Sequence, residues 1–153
     1  MNYSELIDKY VPADDVFLFN TGCAQKAWLL LGCRYIDAIK MHRFAVWAPN
    51  AQSVSLVGDF NGWDPSKTPM EKRGGIWYCF ASGLKSGDLY KYCVTTQSGK
   101  TVWKSDPFAQ WSQSGVNTAS MVWTGSHVWR DEVFMRSRAE KNCFASPMSI
   151  YEL

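Results

Sequence analysis

Two tryptophans and one lysine occur in sequence contexts that are typical of a ligand-binding surface. Trp63 directly follows the turn residues Asn61-Gly62, where small polar side chains are usual. Trp103 stands near the end of a short alternating stretch, and alternation places Lys91 outward between two inward tyrosines. An exposed indole can stack on the C–H face of a sugar ring, while an ammonium or amide group bonds to the hydroxyls. These residues are predicted to bind sugar; the alternative for both tryptophans is burial in the core.

The aromatic content supports this interpretation. The sequence has eight tryptophans and 15% aromatic residues, more than one small core usually needs. Of the eight, Trp47 and Trp77 are expected in the core, together with Tyr90 and Tyr92. Stacking that removes about 100 Å² of apolar surface contributes roughly 2.5 kcal/mol. One or two such contacts imply a binding free energy of about −4 to −6 kcal/mol, which is weak binding.

Other chemistry finds little support in the sequence. Asp59 and Asp64 flank the turn and could be imagined as a glycosidase pair, but Asp59 is more simply explained as a turn residue that bonds to the backbone. No G-x-S-x-G nucleophile motif and no phosphate-binding glycine loop occurs. Five cysteines form no C-x-x-C pair and only two histidines accompany them, so we expect neither a metal nor a cofactor. A net charge of +2, without a run of more than two basic residues, gives no indication of nucleic acid or membrane binding.

Around these residues the sequence predicts an all-β fold of immunoglobulin-like type. Period-two alternation predicts seven short strands separated by turn residues, which is typical of an antiparallel β-sandwich. The predicted strands are residues 34–36, 42–48, 53–57, 75–81, 89–95, 101–104 and 118–123. The sandwich is therefore expected to span residues 34–124.

Helical segments are predicted on both sides of the sandwich. Residues 1–33 form a helical N-terminal arm whose short apolar face must pack on the sandwich or on a partner. A C-terminal helix is predicted at 131–141, within a linker of residues 125–153. The last residues begin a pattern typical of a new β-strand, which suggests that a further domain follows. Free cysteines and an N-terminus without a basic, apolar leader pattern lead us to expect a cytoplasmic protein.

Five ordered motifs resemble the N-terminal region of bacterial 1,4-α-glucan (glycogen) branching enzymes, which carries a family 48 carbohydrate-binding module. The motifs are FAVWAPNA (44–51), VGDFNGW (57–63), GIW (75–77), GLKSGDLYKY (83–92) and KSDPFA (104–109). The resemblance extends from residue 15 to residue 153. The final residues MSIYEL (148–153) are similar to the first strand of the catalytic barrel in those enzymes.

The resemblance implies a parent enzyme that cuts an α-1,4-glucan and rejoins the fragment as an α-1,6 branch. A catalytic barrel takes about 250 residues, so the catalytic carboxylates lie outside this chain and the chain alone is expected to be inactive. In related modules, including the glycogen-binding module of the AMP-activated kinase, glucan rests on two tryptophans beside a lysine and an asparagine. The matching residues are Trp63, Trp103, Lys91 and Asn117. The implied partners are glycogen or maltooligosaccharides and the missing barrel.

Two other interpretations remain open from the sequence. The chain could be a stand-alone glycogen-binding regulatory module, although such a module has no use for the strand pattern at its end. It could also belong to a related debranching enzyme or a trehalose-releasing hydrolase. The motif at 44–51 and the N-terminal arm favour a branching enzyme.

Overall fold

A computed structural model describes residues 3–125, 128–140, 145, 147 and 149–152. Its four α-helices are α1 (Tyr3–Tyr10), α2 (Ala13–Asn20), α3 (Ala27–Leu30) and α4 (Glu132–Glu140). Its nine strands are β1 (Gly32–Ile36), β2 (Met41–Trp47), β3 (Ser53–Gly58), β4 (Glu71–Arg73), β5 (Ile76–Ala81), β6 (Leu89–Thr95), β7 (Thr101–Lys104), β8 (Trp111–Ser112) and β9 (Ser120–Met121). The predicted arm helices and C-terminal helix are present.

The strands form two antiparallel sheets. The first sheet has the order β1-β2-β5-β4, and the second has the order β3-β6-β9-β8. Strand β6 pairs with β3 along one edge, while β9 and β7 share its other edge, β9 at Leu89 and Tyr90 and β7 from Tyr92 to Thr95. The predicted antiparallel β-sandwich of immunoglobulin-like type is confirmed.

The core lies between the two sheets. Phe44 of β2 and Tyr90 of β6 are fully buried, and their rings meet edge to face with centroids 5.0 Å apart. Tyr92 is also fully buried and Trp77 is 7% exposed, so three of the four aromatic core predictions are confirmed. The hydroxyls of Tyr90 and Tyr92 donate to the Asp106 carboxylate at 2.7 and 3.1 Å, which satisfies polar groups that burial would otherwise leave unpaired. Burial raises the pKa of Asp106.

The helical arm packs on the outer face of the first sheet. Buried apolar side chains of the arm, including Val11 and Leu30, join Ala45, Ile76 and Tyr78 of the sheet in a second apolar cluster. The apolar face of the arm therefore packs on the sandwich, which is the first of its two predicted alternatives. One face of the sandwich is covered as a result, and the outer face of the second sheet is left for other contacts.

Arginines of the sandwich hold the ends of the arm helices. Arg43, 6% exposed, donates to the Tyr10 carbonyl at 2.6 Å and to the Leu29 carbonyl at 2.7 Å. Arg73 donates to the Val11 carbonyl at 2.9 Å. The last carbonyls of a helix lack intrahelical donors and carry partial negative charge, so a guanidinium is well matched to them. Burial lowers the pKa of Arg43 to about 10.

The core prediction for Trp47 is wrong. Alternation along β2 turns Phe44 and Val46 toward the second sheet and Ala45 toward the arm, so Trp47, at the end of the strand, also faces the arm side. The edge of the arm reaches Trp47 through Phe19, and the centroids of the two rings are 6.1 Å apart. The indole is therefore 51% exposed.

The described residues of helix α4 are largely exposed. Helix α4 has no buried residue, and Val133 and Phe134 are 82% and 61% exposed. The structure assigns Ile150 and Tyr151 to no helix or strand and leaves both exposed, while Met148 and Leu153 of the predicted final strand lie outside the described residues. No helix in the described part of the chain is long and apolar enough to cross a membrane.

Candidate functional site

The strand register defines an outward face on the second sheet. Tyr90 and Tyr92 of β6 point into the core, so Leu89, Lys91 and Cys93 point away from it. Across the neighbouring strands, Val57 pairs with Lys91 and Trp103 pairs with Cys93, and directly paired residues share a face. Val57 and Cys93 are nevertheless only 0% and 6% exposed. The outward face therefore carries bulky side chains that shield its centre from water.

A compact turn places Trp63 at this face. After β3 the chain makes a 3₁₀ turn at Asp59–Asn61, and the buried Asn61 amide holds the turn together. Its Oδ1 accepts the Gly58 N–H at 3.0 Å, and its Nδ2 donates to the Leu56 carbonyl at 2.9 Å. A Cβ on Gly58 would lie 2.3 Å from the Leu89 carbonyl oxygen, so only glycine allows this approach. The asparagine and the glycine fix the direction in which the turn leaves the strand.

Trp63 itself adopts a strained backbone conformation. Its φ of +60° lies in the left-handed region, which costs a non-glycine residue about 1–2 kcal/mol. Its indole Nε1 donates to Asp59 Oδ1 at 3.0 Å, while Asp59 Oδ2 accepts the Leu89 N–H at 2.9 Å. The Asp59 carboxylate thus ties the indole to the start of β6. Strain held by specific contacts is a common property of functional turns.

Trp63 and Trp103 stack on each other at the outward face. Their indole planes are within 12° of parallel and the ring centroids are 5.8 Å apart. Trp103 is 44% exposed and Trp63 is partly exposed. These two residues, called the tryptophan pair below, therefore lie at the surface and not between the sheets. The parts of the two stacked indoles that stay exposed offer an apolar ledge to a flat ligand.

The two polar residues of the predicted site lie in different places. Lys91 Nζ donates to Thr118 Oγ1 at 2.9 Å, which holds the ammonium on the outward face. Thr118 was not predicted as a site residue. The strand predicted at 118–123 is observed only at Ser120–Met121, so alternation does not determine the direction of the Thr118 hydroxyl. Asn117 lines a cavity of about 360 Å³ beside Trp111. The structure therefore brings the tryptophans together and places Lys91 on their face, with Asn117 in a neighbouring pocket.

Both carboxylates of the discarded glycosidase pair are engaged in the turn. Asp59 binds the indole and a backbone N–H, as described above, and Asp64 Oδ1 accepts the Ser66 N–H at 2.9 Å and its hydroxyl at 2.7 Å. Across the described ranges, no group of three or more histidine, cysteine or acidic side chains is arranged to hold a metal ion. The arrangement is suited to binding a neutral ligand.

A small β-sandwich with exposed, parallel tryptophans on one face is the architecture of a carbohydrate-binding module. The chain belongs to the carbohydrate-binding module 48 family (isoamylase N-terminal domain), whose family model matches residues 30–109, more than half of its length. Over 91% of this chain, it is 40% identical to the 1,4-alpha-glucan branching enzymes GlgB of Aromatoleum aromaticum and Pseudomonas aeruginosa. It covers 22% and 20% of those two proteins. The chain thus spans about a fifth of the length of the curated relatives it matches.

The fold also occurs in solved structures. A crystal structure from Salmonella typhimurium, described as that of an alpha amylase candidate, superposes with a TM-score of 0.52 at 30% sequence identity. The superposition covers 67% of this chain and 16% of that one. In that structure, the matching module is therefore a small part of a larger protein.

Proposed function

We propose that this chain is the glucan-binding N-terminal part of a 1,4-α-glucan branching enzyme. The parent enzyme transfers segments of α-1,4-glucan to form α-1,6 branches, and its catalytic barrel belongs to the remaining four fifths of the protein. The observation that carries the proposal is the tryptophan pair, and the 40% identity to branching enzymes supports the assignment of the parent. The chain alone binds glucan and is inactive.

The chemistry of the tryptophan pair fits an α-glucan. A glucose unit presents C–H groups on its faces and hydroxyls at its rim, so it needs an apolar ledge below and hydrogen-bond donors beside it. The pair supplies the ledge, and Lys91 supplies a donor on the same face of the sheet. Since few groups take part, each contact is weak. A polymer with many equivalent repeats compensates for this, because one bound segment raises the effective concentration of the next.

Two further parts of the proposal concern the surroundings of the chain. We propose that the catalytic barrel is its intramolecular partner, because α4 leaves Val133 and Phe134 exposed although apolar helix faces are normally covered. We also propose a cytoplasmic location. Cys23, Cys33, Cys79 and Cys93 are all free thiols, as is usual in a reducing compartment, while Cys143 lies outside the described residues.

Calorimetric titration of maltoheptaose into the chain tests the binding site. Replacing Trp63 or Trp103 by alanine removes one stacking surface, and we expect affinity to fall by about tenfold or more in each case. Trp28→Ala is the matched control, because Trp28 is 49% exposed but lies in the arm. Circular dichroism verifies that each variant is folded. Unchanged affinity in both folded site variants would refute the proposal.

The activity of the parent can be tested separately. A debranching enzyme remains the second candidate from the sequence, but the relatives at 40% identity are branching enzymes. Incubation of the full-length protein with linear amylose distinguishes the two. A branching enzyme creates new α-1,6 linkages detectable by NMR, whereas a debranching enzyme leaves amylose unbranched and removes branches from glycogen.

A further inference from the structure

The outward face carries a third exposed tryptophan beyond the tryptophan pair. We propose that the glucan path crosses the sheet from the tryptophan pair to a second aromatic subsite at Trp111, with the Lys91–Thr118 contact between them. The inference rests on the proposed function, since it extends the same glucan-binding surface. It assigns a binding role to Trp111 and gives Asn117 a place at the second subsite.

The register places Trp111 on the outward face. Trp111 of β8 pairs with Met121 of β9, and Met121 pairs with Leu89 of β6. Leu89 points outward like Lys91, because a single inward-facing residue separates them along the strand. The three tryptophans therefore share one face. Cys93, which pairs with Trp103, lies four residues along β6 from Leu89, which pairs with Met121. Trp111 then lies one strand farther from β6 than Trp103 does. Together these displacements place the two tryptophans roughly 14 Å apart.

Trp111 is held in a fixed orientation at the surface. Trp123 meets it edge to face, with the ring centroids 5.3 Å apart and the planes 85° apart. Trp111 is 45% exposed, nearly the same as Trp103 at 44%. An indole that a neighbour fixes in place loses little conformational entropy when a ligand stacks on it.

The cavity beside Trp111 has the composition that a sugar requires. Its volume is about 360 Å³, and apolar groups of Trp111 and Met121 lie next to polar groups of Ser112, Gln113, Ser114 and Asn117. The Gln113 Oε1 accepts the Ala119 N–H at 3.3 Å, which orients the amide. Amides and hydroxyls around one aromatic ring can bond to the rim of a glucose unit while the ring covers its face.

One loop links the two subsites. Asn117 lines the Trp111 cavity, and the next residue, Thr118, accepts the Lys91 ammonium on the outward face. A bound chain that passes over Lys91 therefore meets Asn117 and Trp111 in the direction away from the tryptophan pair. The polar contact at Lys91 and Thr118 lies between the two aromatic surfaces.

A comparison of short and long oligosaccharides on the 153-residue chain tests the extension. Maltotriose is short enough to occupy the tryptophan pair alone, whereas maltoheptaose reaches both subsites. We expect Trp111→Ala to weaken maltoheptaose binding by about tenfold and to leave maltotriose binding within about twofold of wild type. Trp63→Ala is expected to weaken both ligands. Trp28→Ala, at a similarly exposed position in the arm, is expected to change neither.

A second variant distinguishes the loss of a ligand contact from misfolding caused by Trp111→Ala. Asn117→Ala removes only an exposed amide, and we expect about threefold weaker maltoheptaose binding with maltotriose unaffected. If both variants bind maltoheptaose like wild type while Trp63→Ala is weakened, the second subsite is refuted and the proposed function stands. If the wild-type chain binds neither oligosaccharide, the proposed function fails, and the extension fails with it.

Discussion

Replacing Asp59 by alanine tests whether the turn prepares Trp63 for binding. Asp59 accepts both the Trp63 indole N–H at 3.0 Å and the Leu89 backbone N–H at 2.9 Å. Without it, the indole loses the bond that directs it toward the outward face. The left-handed backbone of Trp63 also loses a contact that offsets its strain.

The magnitude follows from the two lost bonds. Hydrogen bonds to a charged group contribute about 1.5–3 kcal/mol, and partial solvation of this turn places them near the lower limit. Two bonds of about 1.5 kcal/mol each lead us to expect the free energy of unfolding to fall by about 3 kcal/mol. If about 1 kcal/mol of the indole's preorganisation is lost, the affinity for maltoheptaose falls about fivefold, because the ligand must then order the ring.

Calorimetry and circular dichroism together measure this effect. Two stacked indoles give an exciton couplet in the far-ultraviolet spectrum, which reports on the tryptophan pair without ligand. Asp64→Ala is the matched control, because Asp64 belongs to the same turn but its carboxylate accepts from Ser66 and not from the indole. We expect the couplet and the affinity to decrease in Asp59→Ala and to persist in the control. A folded Asp59→Ala variant with an unchanged couplet and wild-type affinity would refute the reasoning.

Two further predictions concern stability. Arg43→Met leaves two arm carbonyls without donors and should lower the free energy of unfolding in urea by about 3 kcal/mol; an unchanged value would show that these two hydrogen bonds do not stabilise the docked arm. Burial lowers the pKa of His42, so the unfolded chain binds the proton more readily and stability is lost as the pH falls through the folded-state pKa. His42→Phe should therefore reduce the loss of stability between about pH 7.5 and about pH 5.5, and an identical pH dependence in both proteins would contradict this.

The central strands could be predicted from the sequence because their side chains alternate strongly. The predicted ranges 89–95 and 101–104 coincide with Leu89–Thr95 and Thr101–Lys104. Two short strands were not predicted. Glu71–Arg73 is an edge strand of charged residues, and Trp111–Ser112 is only two residues long, so neither offers an alternating apolar pattern.

The candidate site could be predicted in part. The Asn61-Gly62 turn indicated that Trp63 lies at the surface, because such turns are solvated. The parallel stacking with Trp103 depends on how β7 pairs with β6, forty positions along the chain, and no local pattern contains that information. The exposure of Trp47 likewise depends on where the arm ends on the first sheet. These features depend on how strands and helices pack together. The sequence pattern specifies only which side chains of one strand share a face.

The docking of the arm on the first sheet makes the folded unit larger than the family match. The family match begins at residue 30, within α3, whereas Val11 and Val16 belong to the buried cluster that covers Ile76 and Tyr78. A polypeptide cut at the family boundary would expose that sheet face to water and invite self-association. A fragment that keeps this sheet face covered must therefore begin no later than α1, well ahead of the boundary of the family match.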